Sequence, residues 1–367
     1  MKKILSSTLL VLGIYNSTVN AQTIDTLVDV GKGKQLHFNI IKGKSTPILF
    51  EAGFGNGADV WKNITKQIAK VTDATIITYD RISYGDDPKN YQLSLDEEIQ
   101  ALETGLQKLG YGNKNIMLVS HSLGGMYNSY YASRHANEVK AAVLIDITTV
   151  CSSTSYFQLS KVDMNDPIEI YFANLLKTVR EHPMPTTIPI IDIVAANKTD
   201  EAGNTDSIWI NCHKEFVAQS PNRKPILAYT SHYVFVDNPA LVIDAIISQY
   251  ANYVTPKQKN AIIEKGYELA LVMANESKKD EVKCGQKEED VNTWGYSYLE
   301  NNDIEKAIEV FKLNAFLNPE SWNAFDSLAE AYLKAGNKEL AIKNYKKSLE
   351  LNPKNDNAIN VLKEIDK

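Results

Sequence analysis

The stretch Asn115-Ile116-Met117-Leu118-Val119-Ser120-His121-Ser122-Leu123-Gly124-Gly125 decides the fold of this chain. Residues 116–119 are a short apolar run with no polar alternation, the pattern of a strand buried on both faces. Small and polar residues end it, and a helical pattern opens at Gly124 and runs to about residue 134. Outward from there, runs at 35–41, 47–51, 75–80, 141–146, 188–195 and 224–230 share the same richness in Ile, Val and Leu. Amphipathic stretches at 60–71, 93–109 and 239–250 alternate with them. Strands alternating with helices predict an α/β architecture, a doubly wound and mostly parallel sheet, over residues 22–250. One connection, 147–187, is about 40 residues long, too long for an ordinary link, and is expected to form a lid.

The whole chain has 367 residues, 44% apolar and 23% charged, which suggests two domains and excludes a mainly disordered chain. Its 39 basic and 45 acidic residues give a net charge of −6. With no basic surplus to neutralise phosphates, nucleic acid is not an expected partner. The three cysteines, Cys151, Cys212 and Cys284, permit at most one disulfide and fit no zinc spacing. They read as buried or idle thiols.

The first residues read as a targeting segment. Lys2 and Lys3 precede an apolar stretch, and small and polar residues lead to Val19-Asn20-Ala21. That is the order of a secretory signal peptide at 1–21, cut before Gln22. Loss of the two lysines moves the net charge from −6 to −8. The apolar run is shorter than the ~20 residues a membrane span needs. The expectation is an exported protein, periplasmic or secreted, with no integral membrane span.

After residue 250 the character changes. A helical stretch at 256–275 and a charged segment at 276–290 form an expected linker region, 251–287. Beyond it lies an internal repeat. Trp294, Gly295, Tyr298, Ala307, Phe311 and Pro319 recur as Leu328, Ala329, Tyr332, Ala341, Tyr345 and Pro353, each pair 34 residues apart. Small residues at fixed points let paired helices cross closely, and Pro ends the second helix. The pattern resembles the tetratricopeptide repeat, at 288–321 and 322–355, with a capping helix expected at 357–365. The resemblance implies an all-α C-terminal domain and a protein or peptide partner at the repeats.

The opening stretch carries a second resemblance. Ser120-His121-Ser122-Leu123-Gly124 resembles the G-x-S-x-G nucleophile elbow of α/β-hydrolases, with Ser120 in place of the first Gly. A serine on such a turn is strained and exposed, and its flanking positions must be small because strand and helix pack closely. Leu49-Phe50-Glu51-Ala52-Gly53-Phe54-Gly55 resembles the family's oxyanion loop, with Ala52 where a His is usual. Tyr79-Asp80-Arg81-Ile82-Ser83-Tyr84-Gly85 resembles its D-x-R-G-x-G-x-S loop, in which Asp80 and Arg81 read as structural. His232, after the last strand and before a helix that starts at Pro239, resembles the family's catalytic His. His121 reads as packing under the site, and His37, His135, His182 and His213 fit no pattern.

The resemblance implies Ser122 as nucleophile, His232 as base, and the N–H groups of Phe54 and Leu123 as an oxyanion hole. The acid stays open between Asp146, ending the strand 141–146, and Asp200, after the strand 188–195, with Asp206 as a further position. A carboxylate at the end of a buried strand needs a partner, which favours Asp146. Tyr156, Phe157, Ile168, Ile170, Tyr171, Phe172, Leu175 and Leu176 in the lid either line an acyl pocket or seat the lid on the core. No metal or organic cofactor is implied. The expected activity is a serine hydrolase cleaving an acyl bond of a small-molecule substrate, foremost a carboxylic ester. The alternative is an inactive hydrolase scaffold whose repeats bind a partner.

Overall fold

The structure is a computed structural model. It describes residues 22–83, 93–156, 163, 165–196, 207–256, 258–262, 265–266, 268–269, 272 and 288–365. Eight strands form one sheet: β1 (Thr23–Gly31), β2 (Lys34–Ile41), β3 (Ser45–Glu51), β4 (Ala74–Asp80), β5 (Ile116–His121), β6 (Val139–Ile145), β7 (Ile190–Ala195) and β8 (Arg223–Ala228). Their order is β1-β2-β4-β3-β5-β6-β7-β8. The pairs β1–β2 and β2–β4 are antiparallel, and every pair from β4 to β8 is parallel.

Alternate residues of each inner strand feed opposite faces, as the pleat requires. Ile48, Phe50, Met117, Val119, Ala141 and Val143 join one core, which contains Ile64 and Ile68 of α1 (Lys62–Thr72) and Leu241 to Ile247 of α8 (Pro239–Tyr250). Leu49, Leu118, Ala142 and Leu144 join the other. That side holds α2 (Leu95–Lys108), α3 (Gly124–Arg134) and α5 (Pro167–Glu181). Helix starts are chemically marked. Ser94 and Glu97 make a reciprocal capping box on α2, and Asp166 caps α5 just before Pro167.

The connection 147–187 contains α4 (Val150–Tyr156) and α5. Tyr171, Leu175 and Leu176 are buried in the second core, so this face of α5 seats the segment on the sheet. Ile168 and Phe172 pack at its margin. Phe157 lies outside the described residues. A helix after β7, α6 (Ser207–Ala218), is joined to α4 by a Cys151–Cys212 disulfide with Cα atoms 5.3 Å apart. The expectation of idle thiols is therefore corrected for these two cysteines. Neither the sequence spacing nor any local pattern brings 151 to 212; the fold does. Cys284 lies outside the described residues. The short helix α7 (Val234–Asp237) leads into α8.

The C-terminal helices are α9 (Glu288–Glu300), α10 (Ile304–Leu317), α11 (Trp322–Lys334), α12 (Lys338–Leu351) and α13 (Asp356–Ile365). Antiparallel neighbours joined by three- or four-residue turns account for the 34-residue period. Gly295 permits the close crossing, because a Cβ there would lie 2.4 Å from the Phe311 ring. These helices share the first core with the sheet: Trp294, Tyr298, Phe311 and Leu313 are buried with α8. Asp244 of α8 accepts from Tyr298 at 2.8 Å and pairs with Lys306. Edge strand β8 is covered by α9, whose Ser297 Oγ receives the Leu227 N–H at 3.3 Å. Covering an edge removes a template for unwanted strand pairing. No described helix is long and apolar enough to cross a membrane.

Candidate active site

The parallel strands end on one edge of the sheet, where open α/β sheets gather their functional loops. Ser122 follows β5 with φ +51°, the left-handed region that a serine enters only at a cost of about 1–3 kcal/mol. Its N–H donates to Ile145 O at 3.2 Å. Its C=O accepts from Gly125 at 3.0 Å and Thr148 at 2.9 Å, so three contacts hold the turn. A Cβ on Gly124 would sit 2.6 Å from the carbonyl oxygens of Glu51 and Ala52. The small residue demanded after the serine is thus required by the β3 loop pressing on the turn. Ser120, in place of the first Gly, is fully buried.

Asp146 follows β6, also at positive φ (+45°). Its Oδ2 lies 2.6 Å from His232 Nδ1, while Oδ1 accepts from Ala195 N at 2.8 Å and Trp209 Nε1 at 2.7 Å. The carboxyl is buried. Burial works to raise its pKa, but the hydrogen bond and charge of His232, with smaller help from His213 and the Ala195 N–H, hold it below the usual carboxylate value. Asp200 and Asp206 lie outside the described residues. His232 is fixed from a second side, because His121 Nε2 lies 2.9 Å from its C=O and the two rings are 4.5 Å apart. His121 thus packs under the site and also holds the His232 backbone. Ser122 is adjacent to His121 in the chain, yet no hydrogen bond joins its Oγ to His232 among the described residues.

The loop after β3 passes close to the nucleophile turn. A Cβ on Gly53 would lie 3.0 Å from His121 Nδ1 and 3.1 Å from Ser122 Cβ. Phe54 follows, its ring 5.3 Å from that of Phe172 on α5. Leu123 is buried at the start of α3, where backbone N–H groups and the helix dipole favour developing negative charge. Beneath the loop sits a buried polar group. Arg81 donates to Glu51 Oε1 at 2.7 Å, and Tyr79 donates to the same carboxylate. Burial pushes the Glu51 pKa up to about 7 even beside the Arg81 charge.

Asp80 caps the turn at residue 58, accepting from Ala58 N at 2.6 Å, and bridges to His37 Nδ1 at 2.8 Å. That role is structural, as expected. Of the remaining histidines, His135 pairs with Glu103 and the buried His213 with Asp192, both at 2.8 Å. Trp209 was not singled out from the sequence. It comes from α6, 63 positions from Asp146, and no local pattern connects the two. Among the described residues no group of three or more His, Cys, Asp or Glu side chains is disposed to hold a metal ion.

Residues 46–187 match the family model for the alpha/beta hydrolase fold, and residues 322–355 match that of the tetratricopeptide repeat. The uncharacterized protein YqjL of Bacillus subtilis is 24% identical over 225 residues, 58% of this chain and 87% of the relative. The (lyso)-N-acylphosphatidylethanolamine lipase of Bos taurus is 28% identical over 106 residues, 28% of this chain. The chain spans only 30% of that lipase's length. Among solved structures, a thermophilic esterase from Thermogutta terrifontis aligns with a TM-score of 0.43 at 15% identity, covering 62% of this chain and 97% of the other.

Proposed function

From an α/β-hydrolase domain in the N-terminal part and a tetratricopeptide repeat in the C-terminal part, we propose that this protein is an exported serine hydrolase that cleaves a carboxylic ester. The observation that carries the reading is the 2.6 Å contact between Asp146 and His232, beside a serine held at φ +51°. Ser122 Oγ attacks the acyl carbonyl while His232 takes its proton. Asp146 orients the imidazole and stabilises its charged form. The N–H groups of Phe54 and Leu123 hold the oxyanion, the alcohol leaves with the proton from His232, and water then releases the acid. Relatives named as lipases support an ester rather than an amide.

Export is supported by the Cys151–Cys212 disulfide, since such bonds persist in oxidising compartments. It is also supported by the order of charged, apolar and small residues at 1–21. The repeats supply a surface for a protein or peptide partner. The second repeat, α11 and α12, carries it, because α9 of the first covers β8, whereas Ala341 and Tyr345 of α12 belong to a separate core.

Labelling of the purified protein with a fluorophosphonate probe, beside Ser122→Ala, tests the reading. Wild-type labelling that disappears in the variant, with matching turnover of short-chain p-nitrophenyl esters, is the expected result. A folded wild type that neither labels nor turns over ester sinks it, and leaves the repeats as the working part.

A further inference from the structure

The geometry points to Arg81 as a positioning residue that sets the orientation of the oxyanion-hole peptide. This rests on the hydrolase reading above. The guanidinium is buried and touches three consecutive residues of the β3 loop. Nη1 donates to Glu51 Oε1 at 2.7 Å and to Ala52 O at 2.8 Å, and Nη2 donates to Gly53 O at 2.6 Å. The ring of Tyr127, 4.5 Å from its central carbon, packs against the cation from the α3 side.

The chemistry follows from one planar peptide. The C=O of Gly53 and the N–H of Phe54 belong to the same unit, and no described peptide bond is cis. In a trans peptide the two point in opposite directions. A cation that holds the Gly53 carbonyl therefore turns the Phe54 N–H away from Arg81. The same holds one residue earlier, where the Ala52 carbonyl is held and the Gly53 N–H is turned. The competing donor to Gly53 O is the Asn56 N–H at 3.4 Å, a longer contact between neutral groups.

Why an arginine does this is a matter of shape. Two carbonyls and a carboxylate in a row need a planar fork with several fixed donors, which a lysine ammonium does not supply. Why it matters is a matter of distance. The loop passes so close that a Cβ at Gly53 would meet His121 Nδ1 at 3.0 Å and Ser122 Cβ at 3.1 Å, tighter than ordinary contact. A donor peptide that rotates there no longer meets the developing charge, though substrate still enters.

The test compares wild type, Ser122→Ala and Arg81→Lys with p-nitrophenyl butyrate. Arg81→Lys is expected to lose roughly 10²-fold in kcat, the usual loss of one oxyanion donor, with KM changed less than about threefold. A folded Arg81→Lys with kcat within about threefold of wild type overturns the inference. Should that variant not fold, Glu51→Gln combined with Arg81→Met removes the buried pair without stranding a charge. The same kcat loss is expected of it, and retained kcat overturns the inference equally. A crystal structure of the folded variant separates this idea from the hydrolase reading. A Gly53–Phe54 peptide turned from its wild-type orientation supports the positioning role unless kcat is retained, and an unmoved peptide overturns it. Turnover that persists in Ser122→Ala sinks the hydrolase reading alone.

Discussion

Trp209 Nε1 donates to Asp146 Oδ1 at 2.7 Å, on the carboxylate oxygen opposite the one that meets His232. The Asp146 carboxylate is therefore held at both oxygens, one by His232 and one by a helix that follows the next strand. Trp209→Phe keeps the ring and removes the donor. The Ala195 N–H still reaches Oδ1, so the carboxylate keeps one of its two contacts there. Stability is expected to fall by about 1–2 kcal/mol, the cost of one hydrogen bond to a buried charged group. On the hydrolase reading, ester turnover is expected to fall about tenfold, because Asp146, the partner of the His232 imidazole, is held less firmly. Chemical denaturation and steady-state kinetics on the same preparation read both.

The disulfide ties α6, and with it Trp209, to α4 beside the active-site edge. Cys151 and Cys212 close a loop with a sequence separation of 61. Removing a crosslink of that span costs about 4 kcal/mol in the chain-entropy account. For a chain of 367 residues that corresponds to roughly 5 °C of melting temperature. Calorimetry of Cys151→Ser with Cys212→Ser, against the oxidised wild type, measures it. A melting temperature unchanged by the double substitution, or by added reductant, contradicts the bond.

Much of the α/β part was legible because buried parallel strands are written as unbroken Ile, Val and Leu runs. Six of the eight strands were read this way, β5 and β6 within two residues at each end, and β2 was read as an apolar run although it is antiparallel and alternates. β1 escaped because it is an antiparallel edge strand, with only Val28 buried among nine residues. α6 escaped because it follows a segment of small polar residues and buries few positions, Trp209, Cys212 and His213 among them. The turn at Ser122 and a partnered carboxylate at the end of β6 were legible from strand ends and small residues. Trp209 and the reach of Arg81 to the β3 loop were not, since both are contacts between segments far apart in sequence. Local periodicity carries no information about which distant loops meet.

Two of the histidine–carboxylate arrangements, at His37 and at Asp146, answer to pH with opposite sign. His37 is hydrogen-bonded to Asp25 and Asp80, which raise its pKa above the ordinary value despite partial burial. A raised pKa means the folded state favours the protonated ring. Its contribution is complete below the unfolded value of about 6.5 and disappears as pH rises through the folded value. His37→Gln is expected to lower the melting temperature more at pH 5.5 than at pH 9. For Asp146 the pKa is lowered, so its contribution is complete above about pH 3.9 and is lost as pH falls through the folded value. Asp146→Asn is expected to flatten that acid limb of the stability curve. Melting curves across pH 3 to 9 for both variants read the two signs.

The contact between α8 and the C-terminal helices includes a buried ion pair, Asp244 with Lys306, supplemented by the Tyr298 hydroxyl. Both side chains are nearly excluded from solvent, at 3% and 7% exposure. In such a setting the attraction of the pair does little more than offset the cost of taking both charges out of water. Removing one partner strands the other. Lys306→Met is therefore expected to cost about 3–5 kcal/mol, and Asp244→Asn with Lys306→Met together clearly less than the single change. Urea denaturation of the full chain and its three variants gives the coupling. If the double variant is instead as unstable as Lys306→Met alone, the junction depends on the pair itself rather than on the Trp294, Tyr298 and Phe311 packing around it.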